Sequence, residues 1–303
     1  MTALSKSRQG KLGGMSDRTS DIILVIFATV VLLIVAYPLY YILVASFSNP
    51  YDVYAGKTLL LPSGLTMDGY KAVFADESIL SGYSYSILYT VVGTIFSVVM
   101  IYLVAYPLSC HDLVGRKLIS IFFIITMYFG GGLIPTYLVV RDTGLIHTIF
   151  AMFVPGGVAM GNVIIVRNYF ETSIPPSLKE AAGIDGASKL RIFVSIIIPL
   201  SLPILSVMVI FSMVAYWNDW FTALIYMKAS QAPLPLVLRN ILIKSSTSAA
   251  QSSMVSGGYA ELNKLTEMIK FASIIVAAAP MLIAYPFVQK YFEQGFMSGA
   301  VKG

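Results

Sequence analysis

Six long stretches of this chain carry no charged side chain, and nothing else in the sequence constrains its fold as strongly. They are Ile22 to Tyr41 (in a stretch free of charge until Asp52), Ser78 to His111, Leu118 to Val140, Thr143 to Val166, Ile192 to Asn218 and Phe271 to Gln289. About 20 apolar residues at helical rise cross the hydrocarbon core of a bilayer. Strand-like alternation is weak along all six, so helices rather than a barrel satisfy the backbone. Composition agrees: of 303 residues 57% are hydrophobic and 12% charged, against about 25% charged in ordinary soluble domains. The expected fold class is an all-α integral membrane protein with six transmembrane helices.

Orientation follows from the basic residues. Lys6, Arg8, Lys11 and Arg18 precede the first apolar run, which is too long for a signal-peptide core and is followed by no A-x-A cleavage site. It reads as a retained first helix, and six crossings then put both termini in the cytoplasm. Cytoplasmic segments hold twelve Lys and Arg on this topology, external ones seven or eight, a modest positive-inside bias. The expected divisions are a tail over 1–21, a six-span domain over 22–290 with external loops at about 47–77 and 227–265, and a cytoplasmic tail over 291–303. The second external loop, rich in Ser, Gly and Gln around "SSTSAAQSSMVSGG", reads as mobile or ordered only against a partner.

Several functions are set aside. The net charge of +5 is dispersed, with no stripe that would bind nucleic acid. Cys110 is the single cysteine, so neither an intrachain disulfide nor a cysteine metal cluster can form. "MYFGGGLIP", 127–135, lacks the Lys and Ser/Thr of a phosphate loop; its glycines loosen the third span or admit a close helix. An intramembrane protease would need paired acids or an H-E-x-x-H set at membrane depth, and Asp219 has no partner of that kind.

One polar block interrupts the apolar pattern. "SIPPSLKEAAGIDGAS", 173–188, reads as two short helices with a break between them. Ser177 and Glu180 have the spacing of a capping box, Gly183 and Gly186 loosen or end the first helix, and Asp185 is placed to cap the second. Pro199, in the first turns of the fifth span, predicts a kink. The result is a compact elbow presenting Ala181, Ala182, Gly183 and Ala187, whose small side chains admit another surface closely. Two readings of Glu180 and Asp185 stand: helix caps, or charges offered to basic groups of a partner.

A second constellation is "AYWNDWF", 215–221. Asn218 and Asp219 lie between Trp217 and Trp220, an arrangement that suits sugar rings, with their apolar faces and hydroxyl rims. Interfacial anchoring explains the same tryptophans. Tyr128 and Asn162 are further candidates for the same pathway.

Glu180-Ala181-Ala182, Asp185-Gly186-Ala187, Phe193, Ile196, Pro199 and Pro203 closely resemble the EAA loop of ABC importer permeases, with Ile198 where that family has Leu. "KYFEQGFMSGAVKG", 290–303, resembles the tail of the carbohydrate-uptake, maltose-transporter-type permeases. "MYFGGGLIPTYLVVRDTGL", 127–145, looks most like the polysaccharide or lipopolysaccharide-type members. The resemblance implies a coupling helix within about 167–193 that docks on a cytoplasmic ATPase and moves the spans between inward-open and outward-open states. The implied coupling residues are Glu180, Ala181, Ala182, Gly183, Asp185, Gly186, Ala187, Phe193 and Pro199, with tail contacts at Gly299, Lys302 and Gly303. It further implies a second permease subunit, two ATPase subunits and an external solute-binding protein in a bacterial cell membrane. The chain itself is expected to be non-catalytic and to bind no cofactor; ATP and Mg belong to the ATPase. The expected cargo is an oligosaccharide or related glycan. The rival readings are another solute class, and a secondary transporter running on ion gradients, which usually carries more spans and buried acids.

Overall fold

A computed structural model of the chain describes residues 17–252, 269–283 and 286. Their secondary structure is helical, with no strand among them. The chain divides into two units, residues 1–67 and 68–303.

In the first unit α1, Asp17–Ser46, is a single helix of 30 residues. Its apolar side chains from Ile22 to Val35 stand exposed on every side, the distribution of a helix whose solvent is lipid. Its end is tied down: the Asn49 N–H donates to the Ser63 carbonyl at 2.7 Å and the Thr66 N–H to that of Phe47 at 3.0 Å. Between these lies α2, Pro50–Tyr54, capped by the Asn49 side chain.

The second unit is built on α4, Glu77–Ser109, a helix of 33 residues that follows the short α3, Asp68–Ala75. At about 1.5 Å per residue it is longer than the bilayer core is thick. One apolar cluster surrounds its Glu77 end, where Ile79 and Tyr89 meet Leu234 and Trp217. A second surrounds its Ser109 end, where Ile101, Tyr102 and Leu108 meet Val163, Phe170, Phe193 and Met208. Close approach along α4 depends on glycine. A Cβ on Gly82 would lie 3.1 Å from the Leu234 Cα, and one on Gly93 would lie 2.9 Å from the Tyr216 ring.

The other apolar runs depart from straight spans. The run from Leu118 to Val140 is two helices, α5, Arg116–Tyr128, and α6, Leu133–Asp142, bent by 115° at the glycine triplet. Gly132, at φ 86 and ψ 176, holds a conformation that a side chain disfavours, so the glycines break this run rather than loosen it. The run from Thr143 to Val166 is not one helix either. A 3-10 turn at Ile149–Met152 leads through Pro155-Gly156-Gly157 into α7, Met160–Thr172, which continues past the end of the run.

After α7 come α8, Pro176–Ile184, and α9, Lys189–Ile192. A π-helical turn, Phe193–Ile197, and α10, Ile198–Leu200, carry the chain on to α11, Leu202–Trp217. The segment from Lys189 to Leu200 meets α11 at 81°. Pro203 has no N–H for the Pro199 carbonyl and its ring crowds that group, which puts the bend at Ser201. The kink expected at Pro199 is therefore a full corner made by two prolines four residues apart. Beyond α11 lie α12, Trp220–Tyr226, then α13, Leu234–Ser252, and α14, Ile269–Ile283. The segment 227–265, read from composition as an external loop that is mobile or ordered only against a partner, contains in its described part a helix whose first turns are core: Leu234, Leu236, Val237 and Leu238 are buried, and the Leu234 N–H donates to Ser86 Oγ at 2.8 Å.

Two glycine substitutions have opposite expected effects. Gly82→Val forces α13 off α4 and is expected to lower stability by about 1–3 kcal/mol. Gly183→Ala, inside α8 with open space around it, is expected to raise stability by about 0.4–1 kcal/mol. Thermal unfolding of the two variants in detergent checks both signs.

Candidate functional site

The elbow is α8 and α9 with the turn between them. Pro175 takes the N-cap position of α8 and Pro176 its first turn, with no side-chain cap. The fixed φ of proline suits that first position and starts the helix too early for Ser177 to cap it, so the expected capping box does not form. At the other end Asp185 is the C-cap residue of α8 instead of the N-cap of α9. That role belongs to Ser188, whose Oγ accepts from the Arg191 N–H at 3.3 Å. Gly186 sits at φ 77, the Ala187 N–H donates to the Ala182 carbonyl at 2.9 Å and the Gly186 N–H to that of Gly183 at 3.1 Å. This pair of bonds is a Schellman closure, which needs a left-handed residue and therefore favours glycine.

The motif residues separate by burial. Glu180, Ala181, Gly183, Asp185 and Gly186 are exposed, Ala182 and Ala187 are half-buried, and Phe193 is buried. Pro199 is exposed beside the corner. Two apolar residues outside the motif set complete the outer face: Ile184 is 87% exposed and Leu190 69%. Ile184 is the one large side chain within "EAAGIDGA", and that contrast is the sequence signal for it. Ile184 thus stands as an apolar knob among small and acidic residues. Covering such a side chain stabilises a complex by about 1.5–3 kcal/mol.

The inner side of the elbow is rooted in the bundle. Phe193 stacks on Tyr106 with ring centroids 4.8 Å apart, and the Tyr106 hydroxyl donates to the Lys189 carbonyl at 3.3 Å. One helical turn earlier in α4 the Tyr102 hydroxyl donates to the Ser201 carbonyl at the corner, at 3.2 Å. Ion pairs add to this. Glu171 accepts from Arg116 and, at 3.0 Å, from Arg167 Nε; Arg116 Nε also donates to the Leu108 carbonyl at 2.7 Å. Asp112 pairs with Lys189 across the base of the elbow. The ammonium holds the Asp112 carboxyl below its ordinary range, and the carboxylate raises Lys189 in turn. A depressed carboxylate pKa means that this contact is present at neutral pH and is lost only as pH falls through the lowered value.

The residues of "AYWNDWF" are divided between two clefts. Trp217 and Asn218 line a cleft of about 890 Å³ between α11, α13 and α14. Asp219 turns the other way, into a cleft of about 380 Å³ that it shares with Asn162, Ser212 and Tyr216. Much of this polar chemistry is engaged within the chain. Trp217 Nε1 donates to the Ala277 carbonyl at 3.2 Å, and Asp219 Oδ1 caps α12 by accepting from the Thr222 N–H at 3.0 Å. Trp220 is covered by Arg239, whose Cζ stands 4.6 Å from its ring centroid. Tyr128, 74% exposed on α5, lines neither cleft. Gly299, Lys302 and Gly303 lie outside the described residues.

Residues 78–298 match the family described as binding-protein-dependent transport system inner membrane component. Over 95% of its length the chain is 37% identical to the polygalacturonan/rhamnogalacturonan transport system permease protein YtcP of Bacillus subtilis, covering 100% of that protein. It is 36% identical to Protein LplC of the same organism, covering 95% of this chain and 96% of that one. A solved structure of a bacterial ABC transporter involved in the import of the acidic polysaccharide alginate contains a chain that superposes with a TM-score of 0.79. The two are 31% identical, over 93% of this chain and 100% of the other.

The ion cluster at the root of the elbow can be tested directly. Glu171→Gln leaves Arg116 and Arg167 without their carboxylate, and is expected to lower stability by about 1–3 kcal/mol. Thermal unfolding in detergent reads the loss, and Arg167→Gln alone, which spares the Arg116 contact, should cost less.

Proposed function

The chain belongs to the family of binding-protein-dependent transport system inner membrane components and is the permease component of a sugar or polysaccharide ABC importer, and from that premise we propose how its parts act. It carries oligosaccharides or related glycans across the bacterial cell membrane by alternating access. The hydrolysis of ATP with Mg takes place on two partner ATPase subunits. A second six-span permease completes the pathway as a heterodimer, and an external solute-binding protein delivers the cargo. The relatives named for polygalacturonan/rhamnogalacturonan transport and for alginate import bring uronate-containing glycans within range.

The proposed topology has six spans with both termini in the cytoplasm. They are α1, α4, the bent pair α5–α6, α7 with the turns before it, α11, and a last span that includes α14. The elbow then lies on the cytoplasmic side, where Glu180, Ala181, Gly183, Ile184 and Asp185 enter a cleft of the ATPase. Gly299, Lys302 and Gly303 are proposed as additional contacts to the ATPase pair.

One observation carries this reading. α8, which carries the exposed face, closes by its Schellman turn directly onto α9, and from Lys189 the chain runs through the corner to the end of α11 at Trp217, clasped by Tyr102 and Tyr106 of α4. A push on α8 or α9 therefore reaches α11 and the clefts beside it with little slack. The cargo path is proposed along the larger cleft, whose volume of about 890 Å³ lies within the usual range of about 300–1,000 Å³ for ligand sites. Trp217 and Asn218 stand on its wall, with Asn162 and Asp219 in the smaller cleft on the other side of the α11–α12 break.

Gly183→Leu tests the docking. The position is exposed, has ordinary helical φ and has open space around it, so the variant is expected to fold and insert. Uptake into vesicles holding the complete importer should fall at least about tenfold, in keeping with the loss of a close helix approach. Unchanged uptake would leave the elbow a merely structural corner, and uptake that continued with the ATPase blocked would remove the importer reading itself.

A further inference from the structure

The larger cleft is apolar along most of its wall, with Ile210, Met213, Leu238 and Met281 among its lining, yet one cation, Arg239 of α13, stands among its described lining residues. No Asp or Glu stands among its described lining residues, and Arg239 forms no ion pair among the described residues. A half-buried arginine in an apolar cleft, with no counter-ion among the described residues, is costly, and such residues mark the passage of a charged group. Its contact with the Trp220 ring holds the guanidinium at the rim of the cleft, a cation–π arrangement that leaves N–H donors of the fork available.

Two more groups point the same way. Ser273 of α14 lines the same cleft, is 1% exposed, and its Oγ has no hydrogen-bond partner among the described residues. A buried hydroxyl left unpaired is unfavourable until a ligand supplies the partner. Asn218, also on the wall, donates Nδ2 to the Val214 carbonyl at 2.8 Å, which leaves its Oδ1 to accept from a sugar hydroxyl. The carboxylate of the same motif, Asp219, is turned into the other cleft, where it does not repel an anion beside Arg239.

We propose that Arg239 reads the carboxylate of an acidic sugar in this cleft, so that the permease selects uronate-bearing oligosaccharides over neutral ones. Asn218 and Ser273 take hydroxyls of the same or an adjacent ring, and the apolar wall carries the ring faces past. The proposal rests on the carbohydrate-importer reading above and adds to it the charge of the cargo and the residue that selects it. A guanidinium–carboxylate contact is bidentate and directional, so lysine in this position keeps the charge and loses the fork.

The importer, purified through a tag on this chain with the subunits that accompany it and reconstituted in vesicles with ATP inside and its solute-binding protein outside, is given either trigalacturonate or the carboxyl-reduced trisaccharide. The wild type should prefer the acidic sugar. Arg239→Gln should reduce uptake of that sugar about tenfold, mainly through KM, in keeping with the loss of a charge-assisted hydrogen bond. Uptake of the neutral sugar should be unchanged, and Arg239→Lys should recover part of the difference. An unaltered preference in Arg239→Gln, or a wild type that prefers the neutral sugar, overturns the assignment while ATP-driven uptake leaves the importer reading standing. Equal loss of both sugars, together with less of the second permease in the purified complex, makes the cleft a subunit seat and also overturns it. Absence of ATP-dependent uptake of either sugar overturns this assignment and the glycan cargo proposed above, and leaves the family membership standing.

Discussion

The larger unit depends on how closely other helices come to α4. Gly82 and Gly93 strip that helix of side chain at two places, and α13 and the Tyr216 ring of α11 lie against the exposed backbone. In lipid the apolar surface of one helix gains little by meeting another, so close van der Waals packing and interhelical hydrogen bonds hold the bundle together. The tyrosines of α4 supply the bonds. Tyr83 donates to the Val276 carbonyl, Tyr89 to that of Gln231, Tyr102 to that of Ser201 and Tyr106 to that of Lys189. One helix thus grips the clefts at one end and the elbow at the other.

That arrangement ties the elbow firmly to the rest of the larger unit. The elbow turns its small residues and Ile184 outward, while Phe193 and the ion pairs of Asp112 and Glu171 fix its base. At the corner by Ser201 the π-helical turn and two prolines leave the chain bent but still hydrogen-bonded. Sites of this kind, where the i to i−4 ladder is interrupted, recur in elements with a function in the bend.

The α11–α12 break performs a similar division at the other end. A single residue step turns Asn218 to the larger cleft and Asp219 to the smaller one: Asn218 closes α11, and Asp219, at φ −80 and ψ 80, opens α12 in a new direction. Trp217 and Trp220, which as a pair look like a sugar platform, are occupied in holding α14 and Arg239.

The residue pattern alone determined that the chain is helical and lives in lipid, because charge-free runs of this length have no other stable solvent. It also marked the elbow and the kink after Pro199, since proline acts on the backbone locally, while the glycine triplet was legible only as a loosening and the interruption at Pro155-Gly156-Gly157 was not legible. Short-range chemistry misled at the caps, where Pro176 began α8 ahead of Ser177 and left Asp185 at the wrong end to cap α9. Composition likewise missed α13, whose first turns are ordered by burial against α4 and not by local propensity. Only the tertiary structure decided the angles of 115° and 81°, the outward face of Ile184 and the meeting of Arg239, Asn218 and Ser273 in one cleft. Those three residues come from three helices, and no periodicity within a single segment records which of its faces another segment will meet.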